Sequence, residues 1–446
     1  MSQSYLVGGC VRDALLGIPV KDYDVECFGI AYDAMAADLK QWGRTDLVGK
    51  SFGVIKLTTR SGLDYDFAIP RRDNKTGIGH KGFEVEFDPN ITTEEAAERR
   101  DFTISTLMFD PREQRIIDHF DGEKHLREKR LRHTSGAFAE DPLRVLRGMQ
   151  FAARFDLKAD PETIELCRSI RDSFTELAVE RVLEEWLKWA SKSRKPSAGI
   201  LFLEATGWLD HFPEIADLRK TPQDPHWHPE GDALAHTLHC LDAMVQLPEW
   251  QEAERNTRVV LTFGILAHDF GKPATTRTEF KEKHGRDCII SPGHDEIGVP
   301  LTELFLTRIG APNELHKHVP PLVRCHLAHL QEINPRSVRR LARRLAPATI
   351  EELCAVIQAD HNGRPPNPPK TPDGVIKLRA QAHDLKLEAE APRRILLGRH
   401  LIDRGMKPGK EFGDILSSAF EAQLDGAFTD LEGAQGWLAE HLQPRR

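Results

Sequence analysis

The feature that most restricts the fold is a change of rhythm near residue 138. Before it, short β-rich runs recur, some of them alternating: YLVGG, YDVECFG, FGVIKLTT, LDYDFAIP, FTISTLMF and RIIDHF. Period two is the spacing of strands, and helical pieces such as TEEAAERRD fall between the runs, so a mixed α+β domain is expected over residues 1–138. From DPLRVLRGMQFAARF onward the apolar spacing becomes helical and stays so, as in ELAVERVLEEWLKWA and AGILFLEATGWL. The proline- and acid-rich FPEIADLRKTPQDPHWHPEGD closes a helical segment at 139–225. Helices continue over 226–363, RPPNPPKTPDG reads as an extended linker, and 364–446 reads as a small helical domain.

A chain of 446 residues has room for several cores, and 40% apolar with 29% charged residues is ordinary for a globular protein. No apolar run approaches the roughly 20 residues that span a bilayer, and MSQSYLVGG has no basic leader, so no membrane partner is expected. The seven cysteines are odd in number, scattered and never spaced CxxC, which predicts free thiols and a cytoplasmic location. The net charge of −8 does not advertise nucleic acid. Yet Arg127, Lys129, Arg130, Arg132, Arg144, Arg147 and Arg154 crowd one region, and Arg336, Arg339, Arg340, Arg343 and Arg344 another. Such runs are solvated helix faces or, less often, phosphate tracks.

In KDYDVE, Asp22 and Asp24 lie two apart, so on a strand they project from one face about 7 Å apart. Paired carboxylates repel unless a cation lies between them, and hard oxygen ligands suit Mg²⁺ shared with nucleotide phosphates. LDYDFAIP is a second alternating strand; Asp66 is expected to complete a two-metal site, while Asp64 reads as exposed. Gly8-Gly9 follow the strand YLV, where glycine lets the backbone approach a polyanion. The helix starting near Cys10 then aims N–H groups at phosphates, with Arg12 adding charge. In EDPLR, Asp141 before Pro142 is a helix N-cap followed by proline at the first helical position. Asp141 and Arg144, three apart, also share a face and present an acceptor beside guanidinium donors. Cytosine and adenine both carry an amino donor next to a ring-nitrogen acceptor, so such a pair accepts C and A and rejects U and G.

The order GG, VRD, DxD, then RRDFTIS and AEDPLRVLRGMQFAARF, resembles the class II tRNA nucleotidyltransferases, the CCA-adding enzymes, and the related bacterial poly(A) polymerases, over residues 5 to about 215. The resemblance implies an α+β fold: a polymerase-beta-type nucleotidyltransferase head of mixed sheet and helices, followed by all-α neck, body and tail. It implies action on the tRNA 3′ end with CTP and ATP, and a need for Mg²⁺. It places metal ligands at Asp22 and Asp24, triphosphate and ribose contacts at Arg12 and Asp13, and the head-to-neck motif at Arg100-Asp101. Asp141 and Arg144 match the residues that select the base, with Arg147 and Arg154 left for phosphates or the neck. Ser105 and Thr106 stand where the family commonly has Asn-Ala, and Gln150 where an arginine is usual. CCA, CC-only, A-only and poly(A) addition therefore stay open.

A second set of ligand types follows: His236 in ALAHTLHCLD, His268 and Asp269 in LAHDFGK, His294 in SPGHDEIG, His326 in VRCHL and Asp360 in VIQADHNG. One histidine on an apolar helix is usually packing, but the mixed set suits Mg²⁺, Mn²⁺ or a transition ion, with Lys272 holding a phosphate oxygen. The order resembles the HD-domain metal-dependent phosphohydrolases over about 226–362, a domain that certain bacterial CCA-adding enzymes carry. It implies phosphatase or 2′,3′-cyclic phosphodiesterase activity on RNA ends. A nucleotide-signalling hydrolase-synthetase also joins such domains, but usually with the HD domain first and without an EDPLR element. A non-catalytic RNA-binding scaffold is opposed by two intact acid clusters, which are costly to keep without metal. PRRILLGRHLIDRGMKPGKEFGDIL reads as structural, with a tRNA contact as the alternative, and RSVRRLARRLA as a solvated face or a tRNA contact.

Overall fold

The computed structural model describes residues 2–46, 53–75 and 83–442. Two compact units emerge, one ending at His211 and the other starting at Phe212. Among the described residues no helix is long and apolar enough to cross a membrane.

The first unit opens with nine strands: β1 (Gln3–Val7), β2 (Asp22–Phe28), β3 (Gly43–Asp46), β4 (Val54–Thr59), β5 (Asp64–Ala68), β6 (Arg71–Lys75), β7 (Phe83–Phe87), β8 (Met108–Asp110) and β9 (Arg115–Ile117). Seven of them form one mixed sheet in the order β3-β4-β5-β2-β1-β8-β9, and β6 pairs with β7 separately. Only β2 and β5 run parallel in the larger sheet; its other described pairings are antiparallel. Alternation along β2 divides its duties. Val25 and Cys27 enter one core with Met35, Leu39, Ile55 and Leu57, while Phe28 joins Tyr5, Val7, Ala96 and Met108 on the opposite face. Asp22, Asp24 and Glu26 fall on the Phe28 side of that alternation.

FTISTLMF is strand only over Met108–Asp110. Thr103–Ser105 is a tight 3-10 turn, with the Thr106 hydroxyl donating to the Thr103 carbonyl at 2.7 Å. The helix Leu143–Phe155 starts where Asp141 Oδ1 accepts from Leu143 N at 3.1 Å. It packs on the helices Val179–Lys192 and Pro196–Thr206. Trp186, Trp189 and Trp208 are fully buried there, and the Trp189 and Trp208 indoles donate to backbone carbonyls of Pro196 and Cys167.

In the second unit the helices Ala233–Met244, Arg255–Ala267, Asn313–Cys325 and Ile350–Asn362 pack against one another. The helical rhythm expected here is interrupted by a hairpin of Arg277–Lys281 and Arg286–Ile290, whose β-branched and aromatic alternation a helix reading passes over. RPPNPPKTPDG is not an extended spacer. Lys370 N bonds Asn362 Oδ1 at 3.0 Å, and the following helix Asp373–Leu385 buries Val375 and Leu378 against this bundle. The arginine-rich helix Pro335–Leu345 buries Val338, Leu341 and Leu345. Its opposite face pairs with the helix Lys410–Asp425: Arg336 and Arg340 reach Asp425 at 2.8 and 2.6 Å, and Arg343 bonds Glu421. These arginines face the C-terminal helices across exposed ion pairs, and those helices keep a core of their own around Leu401, Ile415 and Leu438.

Candidate functional sites

The parallel pairing of β2 with β5 sets Asp22 beside Asp64 and Asp24 beside Asp66. Partners across a parallel pair project from the same face, about 4.8 Å apart at the backbone, so four carboxylates form two rungs. From the next strand, Thr58 Oγ1 donates to Asp64 at 2.7 Å and Lys56 Nζ stands 3.6 Å from Asp66. The protein crowding Asp24 displaces water and raises its carboxyl; Asp66 and Asp22 add to the rise, and Arg100 opposes it. Crowded acids with oxygen-only donors suit a hard divalent cation. Glu26, the next residue on this face, is buried and accepts from Arg99 at 3.1 Å and Arg100 at 3.3 Å. Sequence reading missed Glu26 and Arg99, although DYDVE carries the same period-two signal.

Gly8 has φ of 68°, and a Cβ there would lie 2.5 Å from Arg100 Nη1. The positive φ is what calls for glycine here, and its bare Cα leaves the Arg100 guanidinium room to lie against it. Arg12 is buried rather than free: Asp13 holds it at 2.7 Å, and its guanidinium lies over Phe151 and Phe155 at 5.1 and 4.5 Å. The other Asp13 oxygen accepts from Arg154 at 2.7 Å.

Gly8, Gly9, Arg12, Asp24, Arg100 and Asp101 share one cavity of about 460 Å³ with Asp141, Arg144, Arg147 and Arg154. Asp13 braces its edge, while Asp22 and Asp66 line a neighbouring recess. Ten cationic side chains against three carboxylates line the cavity, the balance of a polyanion site. Arg71, Arg181, Lys188 and Lys192 belong to it and were not singled out in the sequence. Asp141 is clasped by Arg181 at 2.8 Å, whereas Arg144 donates to the carbonyls of Ala137 and Arg99, each at 2.8 Å. The expected acceptor and donor therefore sit in one cavity, each positioned by a different neighbour. Asp101 is buried, yet Arg147 at 2.6 Å and the Phe102 N–H outweigh burial and lower its carboxyl. Ser105 Oγ and Gln150 Nε2, the two departures lining this cavity, are buried without a hydrogen-bond partner.

The second unit gathers its six expected ligands around another cavity of about 370 Å³, lined by Asp269, His294, His326 and Asp360 together with Lys272 and Arg364. His268, His294 and His326 each bring Nδ1 to 2.7 Å from a backbone carbonyl, those of Ile265, Ser291 and Val323. A carbonyl only accepts, so Nδ1 carries the hydrogen and the neutral ring presents a bare Nε2. His268 Nε2 is buried 3.2 Å from Asp269 Oδ2 without a hydrogen bond, and His294 Nε2 faces His326 Nε2 at 3.1 Å. Two lone pairs that close call for a cation, and imidazole–carboxylate donors suit a transition ion. Burial, then His268 and His294, lower His326 to about 3.

His236 completes the set, with Nε2 at 3.0 Å from Asp360 Oδ1 and Nδ1 at 2.7 Å from Glu230. Asp269 stays well below the usual carboxylate range: burial opposes this, but His268 and Lys272 prevail, the latter at 2.7 Å. The expected phosphate ligand Lys272 thus starts out paired with Asp269 and Gln223. Glu230, His228, Cys240 and Arg364 were not foreseen; Arg364 reaches Asp360 at 2.7 Å. Trp227 and Leu330 stand 54% and 71% exposed on the cavity lining, an apolar lip over a charged floor.

The Poly A polymerase head domain family matches residues 4–132. A multifunctional CCA protein of Nitrosococcus oceani is 36% identical over 369 residues, covering 81% of this chain and 84% of that protein. One from Hahella chejuensis is 32% identical over 443 residues, covering 95% and 98%. Among solved structures, the Bacillus stearothermophilus CCA-adding enzyme in complex with CTP superposes with a TM-score of 0.66 at 20% identity, over 99% of this chain and 93% of that one. The Thermotoga maritima CCA-adding enzyme complexed with tRNA gives 0.58 at 18%, over 99% and 92%. At such identities these structural likenesses speak to the fold.

Proposed function

The chain belongs to the family of multifunctional CCA proteins, and from that premise we infer that it adds C, C and A to the 3′ end of tRNA from CTP and ATP. One observation carries the assignment to the first unit: the Asp24 rung borders a cationic cavity that also holds Asp141 and Arg144. Asp22, Asp24 and Asp66 are the residues that would hold magnesium. When bound, that metal activates the terminal hydroxyl and neutralises charge on the leaving pyrophosphate. Gly8, Gly9 and Arg100 receive the triphosphate, Arg12 and Asp13 brace the wall, and Arg147 with Asp101 ties head to neck. The 3′-hydroxyl oxygen bonds the α-phosphorus as the bond to pyrophosphate breaks. Asp141 accepts a hydrogen bond from the amino group of cytosine or adenine, Arg144 donates one to the ring nitrogen, and U or G meets the wrong partners.

The second unit is read as a phosphohydrolase for RNA ends, with His236, His268, Asp269, His294, His326 and Asp360 holding a divalent metal. That metal supplies an activated water when bound. Lys272 and Arg364 give charge for the phosphate, and the Trp227 lip suits a base. Division into head (1–138), neck (139–225), HD domain (226–363) and tail (364–446) follows these roles. The seven buried, unpaired cysteines favour the reducing cytoplasm.

The test is to incubate the full chain with tRNA lacking its 3′ end, giving CTP, ATP, GTP and UTP singly and in pairs, and to sequence the products. Ordered C, C, A from CTP plus ATP is expected; runs of A alone would replace this reading with poly(A) addition. Oligonucleotides ending in 3′-phosphate or 2′,3′-cyclic phosphate should lose it, and no release under any divalent metal would refute the second assignment.

A further inference from the structure

We propose that Cys240 is a ligand of the second metal centre, sharing one ion with His236, His268 and Asp360, and that its sulfur turns the centre toward thiophilic transition ions. The proposal rests on reading that centre as a metal site. Cys240 lies four residues after His236 on the helix Ala233–Met244, so both project from one face. One ligand atom from each of His236, Cys240, His268 and Asp360 lies within 4.8 Å of the others, and all four residues are buried. Two donors on one ion, at about 2.0–2.3 Å each, stand about 3–3.6 Å from each other. Asp360 Oδ1 is 3.0 Å and Cys240 Sγ 3.3 Å from the same His236 Nε2, so the carboxylate and the sulfur both stand against the nitrogen that would meet an ion. His268 Nε2, buried without a hydrogen bond although only 3.2 Å from the Asp269 carboxylate, supplies the independent sign that a ligand belongs there, since a bare ring nitrogen and a carboxylate oxygen both only accept.

The sulfur is also held in place. A Cβ on Gly363 would fall 2.3 Å from Cys240 Sγ, so the end of the helix Ile350–Asn362 closes against it. Sγ also lies 3.7 Å from His236 Nδ1 and from the Asp360 carbonyl, and its S–H is within hydrogen-bond reach of His236 Nε2, the contact that an ion would replace. On metal binding the thiol gives its proton to solvent as the sulfur–metal bond forms. Thiolate is a soft ligand that magnesium does not accept and that zinc, cobalt and nickel do. The sequence carries this sulfur close to the expected ligand, in AHTLHC, but a lone cysteine four residues from a motif histidine has no meaning until the helix turns.

The test uses the full chain, stripped by chelator and titrated with cobalt(II) alone. Cobalt bound with a near-ultraviolet thiolate-to-cobalt charge-transfer band is expected. That band should vanish in Cys240→Ser and persist in Cys288→Ser. The head carboxylates also take cobalt but offer only oxygen, so they contribute no such band. Zinc affinity in Cys240→Ser should fall by at least about tenfold, the loss that even an outer partner causes. Stoichiometric cobalt binding lost in Asp269→Asn, with no sulfur band in the wild type, overturns the Cys240 assignment and leaves the metal reading standing. Absence of cobalt binding at the second centre overturns both. A band that survives in Cys240→Ala gives the sulfur to another cysteine and sinks the proposal.

Discussion

The two centres gather charge by opposite means. In the first unit the carboxylates sit on two neighbouring strands, and a single parallel register delivers Asp24 beside Asp66. In the second, ligands come from the Ala233–Met244 and Ile350–Asn362 helices and from helix ends, with His236 and Asp360 separated by 124 residues of chain. A strand pair offers hard oxygens on an open face; a helix bundle can bury imidazole and sulfur as well. The difference predicts different metals and separable activities.

The largest effect should come from breaking one centre at a time. Asp24→Ala should lower nucleotide addition by at least about 10³-fold, the upper end for losing one charge-stabilising group, while phosphate release continues. Asp269→Asn should do the reverse, and assays of both activities on both variants check it; joint loss would dissolve the contrast. Next, after chelation, Mg²⁺ alone should restore addition, whereas hydrolysis should return only with a transition ion. Rescue of both by Mg²⁺ would make the centres alike.

Smaller effects sharpen the first region. Arg144→Ala should admit U and G by about 1–3 kcal/mol of lost discrimination, measured by single-nucleotide incorporation. Asp101→Asn should destabilise the first unit by about 1–3 kcal/mol at neutral pH, toward the lower end because Arg147 stays 36% exposed. Since Asp101 is depressed below its ordinary 3.8, its contribution is complete above that value and is lost as pH falls through the folded value. The variant should therefore flatten the acid limb of the stability curve. The smallest effect belongs to Arg343→Ala on the helix Pro335–Leu345, which should leave thermal melting nearly unchanged, because its half-exposed pair with Glu421 is screened by salt.

Legibility in the sequence follows the same divide. DxD, the glycine pair and EDPLR are local, so their order along the chain marks Asp22, Asp24, Gly8 and Asp141 as candidates for one site. What those side chains hold was not legible: Arg12 looks like a free cation in the sequence but is stacked on Phe151 and Phe155 from a helix more than a hundred residues on. Likewise the arginines of RSVRRLARRLA offered a solvated face or an RNA track, and only tertiary packing brought Asp425 to them. Glu230 and Arg364 escaped because each sits beside proline-rich sequence that announces only a turn, and their charge acquires a partner when His236 and Asp360 meet.

One detail of the second centre reaches further. His268, His294 and His326 each anchor Nδ1 on the carbonyl three residues earlier in their own chain segment. The aim of each ring is thus a local instruction, settled as its own turn forms and independent of the other helices. If the centre takes a metal as proposed, the ion would meet rings already pointed, with little side-chain motion left to arrest. Capture should then be limited by the ion shedding its water, and the empty centre should wait in nearly the posture of the filled one.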